Sequence, residues 1–305
     1  MLALLCSGQG RQSRGMFDLF AGLPEAEPVF AAAADVLGRD PRHFISEADD
    51  GMLQRNRASQ LLNVTRALVA QRCLNSALPS SLLVAGYSVG EMAAWGIAGV
   101  WSVADTLRVT ARRAELMDRE SGADDALGFV RGLDHDIVQA MTAQAGCAIA
   151  IVNPAQLFIV GGAREQVMRF CDDARRAGAS HSGLLPVHVA SHTLRLSGAV
   201  EPFEQALAAL QPQRVTSARR LLGAANAEAV FDPRRALKGL ALQLASTIDW
   251  NAVLIALIEQ GVDTMLELGP GNALAEMVHA AFPSIRVRAL DEFRSIAGAK
   301  AWVRS

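Results

Sequence analysis

The chain has 305 residues, 51% of them hydrophobic, and a formal net charge of −2 at pH 7. That is apolar enough to bury a large core, in one large domain or a large domain carrying a small one. No basic cluster, acidic tail or bilayer-length apolar run stands in it, so neither nucleic acid nor membrane is indicated as a partner. Met1 to Cys6 leads straight into Ser7-Gly8-Gln9-Gly10 without a basic n-region, unlike a signal peptide. Cys6, Cys73, Cys147 and Cys171 are scattered, with no C-x-x-C pair. That argues against a zinc site or a disulfide framework and fits a reducing cytoplasm, the expected location.

Leu2 to Cys6 reads as a strand, Ser7-Gly8-Gln9-Gly10 as a tight loop, and a helix is expected from Met16 to Phe20. The loop is a poor dinucleotide fingerprint. Ser13 stands where the third glycine of G-x-G-x-x-G falls, and no Walker lysine follows. The other use of such a loop is to present a main-chain N–H to an oxyanion. Residues 24 to 48 read as helix and loop broken by Pro24, Pro28 and Pro41. Apolar residues from Gln60 to Ala77 recur at helical spacing, and Pro79 ends the run.

Leu82 to Ala85 is an apolar strand and Glu91 to Ala98 opens a helix. Between them Gly86-Tyr87-Ser88-Val89-Gly90 matches G-x-S-x-G, the nucleophile elbow. Such a turn lifts the serine Oγ clear of the sheet, above a helix N-terminus with free N–H groups and partial positive charge. A serine so placed can attack a carbonyl and find donors for the resulting oxyanion. Val103 to Met117 is a further helix carrying Arg112-Arg113. Neighbouring residues on a helix point about 100° apart, so at most one of the two faces a given site.

Composition shifts at Ser121-Gly122-Ala123-Asp124-Asp125. Strands over 126–131, 147–152, 156–160 and roughly 182–189, with helices over 134–144 and 165–177, give the order βαββαβ, the ferredoxin-like pattern. We read residues 123–189 as a small domain inserted into a large one made of 1–122 and 190–305. The large domain resumes with helices over 203–210, 234–244, 250–259 and 273–281 and strands over 221–225, 265–268 and 287–290. Strands alternating with helices imply a mostly parallel sheet covered on both faces, an α/β fold.

A serine nucleophile needs a base. Of the six histidines, His192 in Val189-Ala190-Ser191-His192 lies where the insertion returns to the large domain. Clefts between domains are where sites form. Taken alone, a single histidine is as readily a surface or core residue. The order Ser88, His192, Asp249 differs from the Ser, Asp/Glu, His order of α/β-hydrolases, and no acid between Ser88 and His192 has a strand-end setting, which weakens a lipase or esterase reading.

Ser7-Gly8-Gln9-Gly10, Ser59-Gln60, Gly86-Tyr87-Ser88-Val89-Gly90-Glu91, Arg113-Ala-Glu-Leu-Met117, Ser191-His192 and Leu268-Gly269-Pro270-Gly271 together resemble the malonyl-CoA:acyl-carrier-protein transacylases over nearly the whole chain. The resemblance implies a hydrolase-like α/β sheet with a ferredoxin-like insertion. It implies Ser88 as the acyl-accepting serine, His192 as its base, and the N–H groups of Gln9 and Val89 as the oxyanion hole. It assigns Arg113 to the malonyl carboxylate and Gln60 to the lining of the site. Guanidinium offers a planar carboxylate paired donors that a lysine cannot copy. Without the resemblance, a surface ion pair with Glu115 would be the reading of Arg113.

Three residues depart from the family pattern. Tyr87 replaces a histidine, Ser7 replaces a proline, and Asp249 stands near a usual glutamine before Trp250. The Gly-Tyr-Ser-Val-Gly-Glu elbow is most similar to the epsilon subunit of malonate decarboxylase systems. The family orients its histidine with a main-chain carbonyl, and Asp249 offers a carboxylate as the alternative. The activity implied is malonyl transfer from CoA to a carrier-protein thiol, the carrier being the malonate decarboxylase carrier subunit. No bound cofactor or metal is expected. The transacylase of fatty-acid synthesis is the second reading, a serine hydrolase or thioesterase the third, and a non-catalytic carrier-holding subunit the fourth.

Overall fold

The computed structural model describes all residues, Met1–Ser305. Its eleven strands are β1 (Leu2–Cys6), β2 (Leu82–Gly86), β3 (Asp125–Arg131), β4 (Ala148–Asn153), β5 (Leu157–Ala163), β6 (His181–Leu184), β7 (Arg219–Gly223), β8 (Glu228–Ala229), β9 (Ile248–Asp249), β10 (Thr264–Glu267) and β11 (Arg286–Ala289). They form two sheets. The six-stranded one runs β11-β10-β1-β2-β7-β8. Its first five strands are parallel, and only the two-residue β8 runs antiparallel to its neighbour β7.

The alternating side chains of β1 and β2 explain why both faces must be covered. Leu4, Cys6, Leu82 and Val84 enter one apolar core, while Ala3, Leu5, Leu83 and Ala85 enter a second on the opposite face. Helix Asn56–Leu74 packs into the first core and helix Trp250–Glu259 into the second. A parallel sheet buried on both sides reads as short continuous apolar runs, as these strands do.

The second sheet runs β6-β3-β5-β4-β9. Its first four strands, with helices His135–Ala145 and Arg164–Arg176, complete the expected βαββαβ order with antiparallel pairing. The side chains of Val130, Phe158 and Val160 pack with those helices, whereas Leu127, Ile151 and Ile159 face the second core of the large sheet, beside Trp250 and Leu254. The sheet also gains a strand from outside the inserted segment, since β9 pairs parallel to β4. The two sheets therefore share apolar contacts, and the space left between them becomes the cleft described below.

Several expectations need correction. The last strand of the insertion stops at Leu184, and residues 185–190 are irregular. Pro28 and Pro41 begin helices (Glu27–Leu37 and Pro41–Glu47), where a missing N–H costs nothing. Only Asp18–Phe20 forms a short 3-10 turn where a helix was expected. The helix expected over 203–210 spans Ser197–Ala208, with Pro202 inside it. No helix is long and apolar enough to cross a membrane.

Candidate active site

Ser88 follows β2 at its C-terminal end. A Cβ added at Gly86 would lie 2.2 Å from the Glu91 nitrogen, and one at Gly90 would lie 2.1 Å from the Cys6 carbonyl oxygen. Only glycines let β2, helix Gly90–Ile97 and the end of β1 approach this closely. Ser88 itself has φ +54°, a left-handed conformation that costs a non-glycine residue about 1–3 kcal/mol and is held by its surroundings. The hydroxyl meets the ring of His192, with Oγ 2.7 Å from Nε2.

His192 is fixed from two sides. Its main-chain N–H donates to the Leu244 carbonyl at 2.8 Å, and its ring Nδ1 lies 2.7 Å from the Gln243 carbonyl oxygen. A carbonyl can only accept, so Nδ1 carries the proton and Nε2 keeps the lone pair facing Ser88. His192 also adopts a left-handed backbone, φ +63°, and is 1% exposed. Burial first, then the positive charge of Arg113, push its pKa down to about 3, against the Gln243 carbonyl. The imidazole is therefore neutral at pH 7, the form a general base requires.

The carbonyl that orients His192 belongs to Gln243, a residue that sequence reasoning missed. Asp249 does other work. Its Oδ1 accepts the Ala252 N–H at 2.8 Å and caps helix Trp250–Glu259. A group that acts through its main chain leaves no side-chain signal in a sequence. Gln243 is itself tied down, because its Nε2 donates to Glu91 Oε2.

Gln9 lines the same cleft as Ser88, and Val89 follows Ser88 at the start of the elbow helix. Neither main-chain N–H has an acceptor within the protein. The Gln9 loop is anchored below by Ser7, whose hydroxyl donates to Glu267 Oε1 at 2.8 Å. Glu267 Oε2 accepts the Ala275 N–H at 2.8 Å. Burial raises the Glu267 pKa to about 7, against these hydrogen bonds.

Of the adjacent arginines, Arg112 pairs with Glu115 at 3.7 Å and Arg113 turns inward, 1% exposed. Arg113 Nη1 donates to Gln60 Oε1 at 2.7 Å, and Nη2 is buried with no partner. Burial lowers its pKa to about 10, against the field of Glu91, so it stays charged at pH 7. An unsatisfied buried guanidinium donor is costly, and an acceptor, whether water or a ligand carboxylate, would satisfy it. Gln60 Nε2 donates to Asn56 Oδ1 at 2.7 Å, and Gln9 Nε2 donates to the same oxygen at 3.2 Å. This chain of amides links Arg113 to the cleft wall. Arg113 and Gln60 lie behind that wall, while Gln9, Ser88, Ser191 and His192 form it.

The cleft between the two sheets has a volume of about 870 Å³. Leu127, Phe129 and Ile159 of the insertion face Tyr87 and the Gly8 loop across it. Tyr87 stands edge-on to Trp250, ring centroids 5.3 Å apart. The arrangement provides a strained serine, a neutral imidazole facing it, two free N–H donors, a buried cation and a cleft with mixed polar and apolar walls.

An acyl transferase domain model matches residues 3–291. The polyketide biosynthesis protein ThaF of Burkholderia thailandensis is 29% identical over 297 residues, covering 93% of this chain and 24% of ThaF. The chain thus spans about a quarter of that relative. The malonyl CoA-acyl carrier protein transacylase of Haemophilus influenzae is 25% identical, covering 96% of this chain and 97% of its own length. Its Escherichia coli K12 counterpart is 26% identical, with 97% and 98% covered. Among solved structures, the acyl-carrier-protein S-malonyltransferase of Burkholderia pseudomallei superposes with a TM-score of 0.91 at 25% identity, covering 98% of this chain and 99% of that one. A malonyl-transacylase in complex with its type II PKS acyl-carrier protein gives 0.92 at 24% identity, with 98% and 99% covered.

Proposed function

The chain belongs to the acyl transferase domain family and is an acyltransferase, and from that premise we propose that it carries malonyl from malonyl-CoA to a carrier-protein thiol through malonyl-Ser88. The observation that carries the substrate assignment is Arg113, a buried cation with one donor unused. A carboxylate at the far end of the acyl group would complete it, and an acetyl group would not. Gln60 holds the guanidinium in place through Nη1.

In the forward half-reaction His192 Nε2 takes the Ser88 proton as Oγ attacks the thioester carbon. The N–H groups of Gln9 and Val89 receive the oxyanion, a contribution of about 2.7–4 kcal/mol per donor in comparable sites. Collapse breaks the C–S bond, and His192 returns its proton to the departing CoA sulfur. The second half reverses the roles. The carrier thiol gives its proton to His192 and attacks malonyl-Ser88, and the serine oxygen leaves with that proton. The 1–122 plus 190–305 body holds the reacting groups in this scheme, and the 123–189 insertion walls the cleft that limits access of water.

Within this chemistry we place the chain in a malonate decarboxylase system, on the Gly-Tyr-Ser-Val-Gly-Glu elbow. The second reading, transfer in fatty-acid synthesis, is favoured by the relatives from Haemophilus influenzae and Escherichia coli named as malonyl CoA-acyl carrier protein transacylases. One competition assay separates them. The protein, with malonyl-CoA, is offered two carriers, one bearing phosphopantetheine and one bearing a phosphoribosyl-dephospho-CoA group. Preferential malonylation of the second carrier is expected. Preference for the first would move the chain to fatty-acid synthesis, and malonyl-CoA hydrolysis with neither carrier acylated would remove the transferase proposal.

A further inference from the structure

Behind the serine–histidine pair lies a buried carboxylate that the acyl-transfer scheme does not use. Glu91 sits in the first turn of helix Gly90–Ile97 and is 1% exposed. Three donors from three parts of the fold converge on it. Trp95 Nε1 reaches Oε1 at 3.4 Å from one turn along the same helix. The Ala224 main-chain N–H reaches Oε1 at 3.2 Å from the loop after β7. Gln243 Nε2 donates to Oε2 from the C-terminal cap of helix Pro233–Leu242.

The last contact matters for chemistry, because the carbonyl of Gln243 is the acceptor for His192 Nδ1. From this geometry we propose that Glu91 is a positioning residue for the base. It grips the Gln243 side chain, so the Gln243 carbonyl points at His192 and holds the tautomer and ring angle that leave Nε2 facing Ser88. The mechanical logic is short-range. Ser88 and Glu91 lie three residues apart on one elbow, so the turn that presents the nucleophile also anchors the carbonyl that orients its base. Glu91 is the one hydrogen-bond partner of the Gln243 side chain.

A cavity of about 330 Å³ reaches Glu91 and Gln243 from the side of Gly223, Asn226 and Arg235. Neither Ser88 nor His192 lines it. A side chain truncated at position 91 therefore leaves room for Gln243 to drift. A glutamine at position 91 behaves differently. It keeps an oxygen for the Ala224 N–H, and the Gln243 amide can turn its own oxygen toward the new NH2 group.

The proposal rests on the reading of Ser88 as the acyl acceptor, and the experiment separates the two. The rate of acyl-enzyme formation from malonyl-CoA is measured by rapid quench and intact mass for wild type, Glu91→Ala, Glu91→Gln, Gln243→Ala and the double alanine variant. Absence of a malonyl adduct on wild type would overturn the acyl-serine reading itself. With an adduct present, Glu91→Ala and Gln243→Ala are each expected to acylate about 10- to 100-fold more slowly, the rate equivalent of one lost buried hydrogen bond. KM for malonyl-CoA stays within about threefold, the pattern of a group that acts on the transition state and not on substrate binding. The double variant is no slower than either single one, because both cut the same link, and Glu91→Gln recovers most of the lost rate. Wild-type acylation in a folded Glu91→Ala, losses that multiply in the double variant, or a Glu91→Gln as slow as Glu91→Ala would each overturn the positioning role. If Glu91→Ala does not fold, Gln243→Ala carries the test alone, because it removes the grip and keeps the main-chain carbonyl.

Discussion

Ser88 and His192 already have their hydrogen bonds in the free protein, whereas Arg113, whose charge helps lower the His192 pKa, has one guanidinium nitrogen without a partner. The serine hydroxyl has its acceptor, Nδ1 has the Gln243 carbonyl, and the residues behind them are tied into Glu91. On the other side Nη2 of a buried guanidinium is idle behind a wall of amide side chains. On the proposed roles, the reacting groups are preorganised and the recognition group is incomplete until an acceptor reaches it. Preorganised dipoles cost no reorganisation at the moment of reaction. An incomplete cation favours whichever ligand brings the missing acceptor, and rejects analogues that leave it bare.

This division gives changes on the two sides different signatures. Ser88→Ala should lower transfer by about four orders of magnitude or more, as loss of a nucleophile does elsewhere, and a carrier-malonylation assay reads it directly. Arg113→Ala should cost about 2–5 kcal/mol of kcat/KM on malonyl-CoA, the usual cost of truncating one member of a buried charge pair. The ratio of acetyl-CoA to malonyl-CoA activity should rise. Equal losses on both substrates would assign Arg113 to folding instead of recognition.

The two sides also communicate. Burial is the main reason that the His192 pKa lies near 3, and the charge of Arg113 is the second. A base works in its neutral form, so a depressed pKa moves the acid limb of the acylation rate to lower pH. Removing the cation in Arg113→Ala should move that limb upward relative to wild type, and stopped-flow release of CoA across pH 3–7 measures it. The same shift has a stability sign. Between the folded pKa near 3 and the unfolded value of about 6.5, the unfolded chain binds a proton that the folded chain refuses. This histidine therefore weakens the fold as pH falls below about 6.5. The smallest effect belongs to Asp249→Ala. It removes a helix cap, with an expected loss of about 1 kcal/mol in denaturant unfolding and no change in kcat, since Asp249 touches neither Ser88 nor His192.

Much of this architecture was legible because it is written in local pattern. The apolar runs of β1, β2 and β10, the βαββαβ order and the G-x-S-x-G turn each have a short-range cause. The elbow could be placed because Gly86 and Gly90 are sterically obligatory there. Choosing Arg113 over Arg112 took the family resemblance, because helical spacing says only that the two point apart. What stayed hidden acts through the main chain or across long separations. The Gln243 carbonyl has no side-chain signature, and its partner His192 lies 51 residues away in sequence. The pairing of β9 with β4, which adds a strand from outside the insertion to its sheet, rests on two residues. Pro28 and Pro41 look like breaks in a linear reading and are helix starts in three dimensions.

The central claim is that Ser88 takes the acyl group while Arg113 selects it by its carboxylate. Intact-mass spectrometry after brief mixing with malonyl-CoA or acetyl-CoA tests both parts at once, on wild type, Ser88→Ala and Arg113→Ala. The account predicts a malonyl adduct on wild type that acetyl-CoA matches poorly, no adduct on Ser88→Ala, and loss of the malonyl preference in Arg113→Ala. An adduct that survives Ser88→Ala, or a malonyl preference that survives Arg113→Ala, would contradict it.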